Sequence, residues 1–327
     1  MKAVVRTEYG SPDVIRVIDA PIPDPGPREV RVRVEAAGVD IGVWHMLTGL
    51  PTMMRPAVGL PRPRRTGLGS ELAGVVDAVG ARVTRFRPGD AVFGVGTATF
   101  AEYAVAQEKQ LVHRHPDVPA VRAAASAISA VTAYQALEPD RRPLERVLVL
   151  GASGGVGSFA VQIAKRFGAQ VTGVASGAKL EFVRSLGADE VIDYSATDPT
   201  DGSQTYDLIL EMGGRRSLRS LRRALTPRGR VVVVGGEGGG RVTGGFLGNL
   251  TLGARTAFRA QKAVGLVSTT TVADLTRVGE LLASGDVVPA IDAVLPLAAA
   301  SDALWRIERH QVRGKLVLDP ALQDSAL

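Results

Sequence analysis

VLVLGASGGVGSFAVQIAKRFGA, residues 147–169, decides the fold. It opens with a short apolar run of strand type, passes through Gly151, Gly154, Gly155 and Gly157, and then takes up the apolar period of a helix. Glycine permits a tight turn there and lets backbone N–H groups come close to a pyrophosphate. The N-terminus of the following helix adds partial positive charge at the same point. The spacing is GxxGxxG rather than the commoner GxGxxG, and a glycine motif by itself says little. The strand before it, the helix after it and the β–α alternation beyond it point to a dinucleotide-binding turn; the alternative is a turn that serves the backbone alone.

Outward from this stretch the texture differs on the two sides. Residues 1–120 read as mostly strand and loop. VRVRVEAAGV (30–39) alternates at period two, ELAGVVDAVG (71–80) and DAVFGV (90–95) are short strands, and proline is dense at 21–27 and 51–63. Many short strands with Gly/Pro turns suggest a barrel-like or sandwich domain. AVRAAASAISAVTAYQAL (120–137) reads as a helix. Strands and helices then alternate through RVVVVGG, the order of a parallel sheet with right-handed crossovers. Residues 237–262 are Gly-rich and read as loop with some helix. ADLTRVGELLASGDV (273–287) and AASDALWRIERH (299–310) read as helices, and KLVLDP (315–320) as a final strand.

Composition excludes several chemistries. The 327 residues include no cysteine, so there is no disulfide framework, thiolate nucleophile, iron–sulfur cluster or cysteine-ligated zinc. A chain of this length and 45% hydrophobic content buries a large core, and its length suggests two domains. The N-terminus MKAVVRTEYG alternates rather than forming a signal h-region, and the longest apolar run, VVVV at 231–234, is far too short for a bilayer; the expected compartment is the cytoplasm, with no membrane partner. The net charge of +6 comes from arginines scattered along the chain, which fits nucleotide bias of the source at least as well as an anionic partner.

The strand after the glycine turn, QVTGVAS (170–176), bears on cofactor choice. An NAD site usually ends this strand with an acid that binds the ribose 2′-hydroxyl. Here it ends at Ser176-Gly177 with Lys179 just beyond, and the first acid, Glu181, is already inside the next helix. A hydroxyl and an ammonium suit a 2′-phosphate, so the expected cofactor is NADPH. Tyr194, after EVIDY, is a candidate to lie beside the adenosine phosphate.

These residues resemble the zinc-independent medium-chain dehydrogenases/reductases of the NADPH:quinone oxidoreductase, or zeta-crystallin-like, type. The resemblance runs along the whole chain. It is carried by MKAVVRTEYGSPDVIRV, VRVRVEAAGVD (30–40), GSELAGVVDAVGARVTRFRPGDAVFG (69–94), FAEYAVA (100–106), TAYQAL (132–137), GASGGVGSFAVQIAKRFGA (151–169), RSLGADEVIDY (184–194) and GKLVLDP (314–320). It implies an α/β fold: a Rossmann doubly wound parallel sheet, residues 122–264, inserted into a GroES-like β-rich catalytic domain, residues 1–121 and 265–327. It also implies a homodimer or a larger assembly. Carried over residue by residue, Gly154, Gly155, Val156 and Gly157 match the pyrophosphate turn. Ser176, Lys179 and Tyr194 match the NADP-selecting positions. Thr132 matches a threonine on the nicotinamide side, and Gly213 and Gly235 end strands that edge the nicotinamide ribose.

The same resemblance locates where zinc relatives hold their metal. Asp40 stands at the cysteine position, and Gly69-Ser70-Glu71 stands at Gly-His-Glu with serine for histidine. No metal is therefore expected, and Glu71 reads as a structural acid. Without a Lewis acid, an acceptor that is electrophilic by itself is favoured: a quinone, or an activated enone or enal. The family's Asn and Tyr are replaced by Asp40 and His45 in VDIGVWHMLTG (39–49). His45 is the candidate proton or hydrogen-bond donor, Trp44 a candidate wall for a flat acceptor, and Asp40 a candidate binding or orienting group. The basic, Pro-rich segment PTMMRPAVGLPRPRRTG (51–67) reads as a substrate lid, with Met53 and Met54 as apolar contacts and Arg62, Arg64 and Arg65 available to a carboxylate or phosphate; a solvated charged loop is the alternative.

The expected function is hydride transfer from NADPH to such an acceptor without a metal. An enoyl reductase or a tailoring reductase of secondary metabolism is the alternative within the class. A non-catalytic NADPH-binding sensor or a nucleic-acid-binding protein is the alternative outside it, and an aromatic content of 5% and the lack of a nucleic-acid motif count against nucleic acid as a partner.

Overall fold

The alternation of VRVRV produces a strand whose valines face inward, and this strand becomes the spine of one of two sheets. The computed structural model describes residues 1–138, 143–236, 240–257 and 260–323. Residues 324–327, assigned above to the catalytic domain, and 139–142, 237–239 and 258–259, assigned to the Rossmann domain, lie outside the described residues. The chain divides into one unit of Met1–Val131 with Thr270–Leu327 and a second of Thr132–Thr269.

In the first unit β1 (Lys2–Val5) pairs antiparallel with β2 (Arg16–Asp19). The long β3 (Glu29–Val39) buries Val30, Val32 and Val34 on one face. Two short helices follow, α1 (Ile41–Thr48) and α2 (Arg55–Val58), in a region whose sequence texture suggests mostly strand and loop. Then come β4 (Glu71–Val79), β5 (Ala91–Val95), β6 (Tyr103–Gln107), β7 (Leu111–His113) and α3 (Ala120–Ala124), which packs on β3 and β4.

The second unit begins within α4 (Ser129–Leu137). It continues through β8 (Arg146–Leu150), α5 (Gly155–Arg166), β9 (Gln170–Ala175), α6 (Leu180–Ser185), β10 (Glu190–Asp193), β11 (Tyr206–Glu211), α7 (Leu218–Arg223), β12 (Leu225–Val233), α8 (Phe246–Thr256) and β13 (Lys262–Gly265). The six strands form one sheet in the order β10-β9-β8-β11-β12-β13, every pair parallel. The order reverses between β8 and β11, and the strand ends beside such a switch point are where open α/β sheets bind ligands.

The chain then returns to the first unit as α9 (Val272–Ala283), β14 (Ile291–Leu295), α10 (Ala300–Glu308) and β15 (Lys315–Leu318). β15 pairs parallel with β14 and antiparallel with β3, completing the order β14-β15-β3-β4-β5-β7 with β6 beside β3. The architecture is thus a Rossmann sheet inserted into a GroES-like sheet domain. The unit boundaries fall later than the sequence-based 121/122 and 264/265. Residues 120–124 pack on β3 and β4, and Ser268 and Thr269 bond to Thr132 and Gln135 of α4. Among the described residues no helix is long and apolar enough to cross a membrane.

Candidate active site

The glycine turn has two kinds of glycine. A Cβ on Gly157 would lie 2.2 Å from Gly151 O, so the end of β8 and the first turn of α5 close on each other only with glycine there. Gly154 is different. It is the N-cap of α5 with φ −86°, and a Cβ on it would meet only Gly151 O at 3.5 Å, an ordinary contact. The backbone does not need a glycine at 154. Gly155, Val156 and Gly157 form the first turn of α5, which no side chain caps, so their N–H groups suit the oxygens of a pyrophosphate.

The neighbouring strand ends carry the other nucleotide candidates. Lys179 N–H donates to Ser176 O at 2.8 Å, and Tyr194 N–H donates to Ala175 O at 3.3 Å, so the ends of the parallel pair β9 and β10 bring Ser176, Lys179 and Tyr194 together; the Tyr194 ring is exposed. The sequence reading missed Asp193. Its Oδ2 lies 2.6 Å from where a Cβ on Gly177 would be. Backbone and side-chain hydrogen bonds from Ser195 hold its carboxyl below the usual range. Gly213 N–H donates to Glu211 Oε1 at 3.1 Å, and burial pushes the Glu211 carboxyl up. A Cβ on Gly235 would sit 1.9 Å from Met212 O, so that glycine is required by the close approach of two loops. Thr132 Oγ1 donates to Ser268 Oγ at 3.0 Å, tying the residues where the chain enters and leaves this unit.

In the first unit Asp40 and Glu71, which the resemblance sets at zinc positions, are otherwise engaged. Asp40 is the N-cap of α1, its Oδ1 accepting from Gly42 N–H at 2.6 Å and Val43 N–H at 3.3 Å. Its Oδ2 is buried without a partner among the described residues. Glu71 accepts from Ile128 N–H at 2.7 Å and pairs with Lys315, which also donates to Ser129 Oγ. Burial pushes the Glu71 carboxyl up; the Lys315 ammonium opposes this and the Asp40 charge adds to it. Gly38 makes room for the arrangement, since a Cβ there would fall 2.4 Å from Glu71 Oε2 and 2.5 Å from Ala124 O. Lys315 was also missed, because a lysine that opens a strand reads as exposed. Among the described residues no three His, Cys, Asp or Glu side chains are placed to hold a metal.

Trp44 and His45 sit side by side on α1, ring centroids 5.1 Å apart and edge to face. The Trp44 indole donates to Glu308 Oε2 at 2.8 Å. His45 Nδ1 is 2.8 Å from Leu50 O. A carbonyl only accepts, so Nδ1 carries the proton and Nε2 is the nitrogen left for a ligand. In segment 51–67 Met53 and Met54 are exposed, Arg65 donates to Thr97 Oγ1 at 3.2 Å, and Arg64 reaches Pro56 O at 3.5 Å.

Comparison with known proteins bears out the fold. Residues 26–117 match the alcohol dehydrogenase GroES-like domain, and 186–318 match the family described as zinc-binding dehydrogenase. The chain is 31% identical over 339 residues to a chloroplastic quinone-oxidoreductase homolog of Spinacia oleracea, covering 98% of each. It is 37% identical over 262 residues to a quinone oxidoreductase of Pseudomonas aeruginosa, covering 76% of this chain and 78% of that one. Among solved structures, an Escherichia coli quinone oxidoreductase complexed with NADPH superposes with a TM-score of 0.82 at 25% identity, over 98% of this chain and 100% of that one.

Proposed function

The chain belongs to the medium-chain dehydrogenase/reductase family, in its quinone oxidoreductase branch, and from that premise we propose that it uses NADPH to reduce a quinone or an activated enone or enal without a metal. The observation that carries the cofactor reading is Gly154, a glycine at an uncapped helix N-terminus that the fold itself does not require. Gly154 and the first-turn amides of α5 bind the pyrophosphate. Ser176 and Lys179 take the 2′-phosphate, and Thr132, Gly213 and Gly235 serve the nicotinamide end. When bound, NADPH supplies a hydride.

The acceptor must be electrophilic by itself, because the residues at the zinc positions do not fit the metal. The chain has no thiolate, Asp40 Oδ1 is committed to a helix cap, and Glu71 is committed to Lys315 and Ile128. His45 then stabilises charge developing on the acceptor oxygen, donating from Nε2 as imidazolium while Leu50 O holds Nδ1–H. Trp44 flanks the acceptor ring, and Asp40 Oδ2 is an acceptor for a ligand hydroxyl. A second copy pairs along the edge strand β13, where Val264 is exposed, and the enzyme works in the cytoplasm.

The test is loss of nicotinamide absorbance when purified protein meets NADPH or NADH and a panel of quinones, enones and enals. Oxidation of NADPH faster than NADH with some member supports the reading. No oxidation with any member overturns it.

A further inference from the structure

Arg6 continues the extended course of β1. Its N–H donates to Thr66 O at 2.9 Å, as Leu68 N–H donates to Val4 O at 3.2 Å. Val4 and Arg6, two residues apart, share a face of the extended segment. Val4 lies in the core of its unit. The guanidinium therefore occupies a place suited to an aliphatic side chain, and Arg6 is only 4% exposed. A buried guanidinium ordinarily brings a carboxylate with it. Among the described residues Arg6 has none, and its buried Nε has no hydrogen-bond partner.

A second cation shares its surroundings. Arg6 Cζ is 5.7 Å and Arg55 Cζ 4.7 Å from the centroid of the same ring, Tyr9. Tyr9 is fixed by its hydroxyl, which donates to Gly59 O at 2.8 Å. Arg55 is fixed by donating to Gly49 O at 3.1 Å and Thr48 O at 3.3 Å, carbonyls at the C-terminal end of α1 where positive charge is favoured. Each guanidinium lies over the Tyr9 ring, a contact that favours positive charge. Burial pushes the Arg6 guanidinium's pKa down, the direction expected of a cation short of negative charge. An anion is the missing member of this cluster, and a planar fork with an unused N–H is suited to a carboxylate or phosphate.

We propose that Arg6 and Arg55, arranged around Tyr9, bind a carboxylate or phosphate group on the acceptor, so that the natural substrate is an anionic quinone or enone rather than a neutral one. This rests on the reductase reading above. The same helix end serves both roles: Gly49 N–H donates to His45 O at 2.9 Å, and Gly49 O accepts from Arg55. An acceptor held through its anionic tail would be positioned by the turn that also carries His45.

The test compares three naphthoquinones that differ only at the end of one alkyl chain: carboxylate, phosphate and methyl ester. The quantity read is the ratio of kcat/KM for each anionic acceptor to that for the ester, in wild type, Arg6→Met and Arg55→Met. The expected result is a wild-type preference for at least one anionic acceptor that falls about 10- to 100-fold in each variant, as for loss of a charge-assisted hydrogen bond. Whether the carboxylate or the phosphate compound is preferred identifies the group. Equal treatment of ester and anions by wild type, or a preference that survives both substitutions, overturns the proposal. If Arg6→Met does not fold, Arg55→Met alone decides. A binding arm without NADPH keeps this proposal separate from the reductase reading: inorganic phosphate or the carboxylated naphthoquinone should raise Tm in wild type and not in Arg55→Met. If no acceptor is reduced, the reductase reading fails and the Tm arm decides; equal shifts in wild type and variant overturn the anion site.

Discussion

Lys315 Nζ lies 2.5 Å from Glu71 Oε2, the two residues 244 positions apart in sequence and both side chains closed off from solvent. β15 supplies the lysine and β4 the glutamate, on either side of β3. The pair therefore links the returning C-terminal segment to the N-terminal sheet.

Breaking this pair should act asymmetrically. Glu71→Gln leaves a buried ammonium without its counter-charge and should cost about 3–5 kcal/mol of stability. Lys315→Met leaves a carboxyl that can take up a proton, since burial already raises its pKa. With its counter-ion gone, that folded-state pKa rises further above the unfolded value of about 4.3. A raised folded pKa means stability that is fully present below the unfolded pKa and lost as pH rises through the folded one. Lys315→Met should thus approach wild type at about pH 5 and fall behind it at about pH 8, as urea midpoints at the two pH values would show. A deficit that does not depend on pH would show that Glu71 stays ionised.

The two glycines of the turn should separate fold from ligand. Gly157→Ala puts a Cβ against Gly151 O and should destabilise the protein by about 1–3 kcal/mol, read as a lower Tm. Gly154→Ala meets no close atom, so its Tm should stay within about 0.5 kcal/mol equivalent of wild type. Its Kd for NADPH should nevertheless rise at least about tenfold, because the added methyl stands where the pyrophosphate approaches. Unchanged affinity would mean that nothing needs the glycine at 154.

The architecture was legible because it rests on periodicity and punctuation. The valines of 30–34 alternate, and the glycines after β8 stand between a strand and a helix, so local pattern and global fold agree there. α1 escaped notice because its eight residues are too few to show a clear period; what marks it is Asp40 as N-cap and Gly49, in the left-handed region at φ 63°, as C-cap. The nucleotide candidates Ser176, Lys179 and Tyr194 were readable because all three lie near parallel strand ends. Asp193, Lys315 and Arg6 were not singled out. Each is a charge whose meaning depends on a neighbour distant in the chain or on burial, and neither is written in local sequence. Arg6 sits in an alternating run where a polar residue looks exposed, and only the pairing with Thr66 turns it inward.

Cofactor preference should respond in opposite directions to two substitutions. Lys179→Ala removes an ammonium from the end of β9 and should weaken NADPH relative to NADH by about 1–3 kcal/mol. Asp193→Asn removes a negative charge beside Gly177 and should strengthen NADPH relative to NADH, by a smaller amount because that carboxylate is partly exposed and screened. The measurement is Kd for both cofactors by quenching of protein fluorescence. Equal changes for NADPH and NADH would remove these residues from the 2′-phosphate.

His45→Gln should separate a chemical role from a packing one. A glutamine amide can still donate toward Leu50 O but carries no titratable proton. If Nε2 supplies the proton or the charged hydrogen bond that the reduced acceptor needs, kcat should drop by roughly 10²-fold. KM for the acceptor should move little, and so should Tm, since the bond to Leu50 O that steadies the end of α1 has a replacement donor. A rise in KM with kcat preserved would instead give His45 the task of a wall shared with Trp44, whose ring it meets edge-on. A fall in Tm with both kinetic constants intact would leave the imidazole as a fastener of the turn that follows α1.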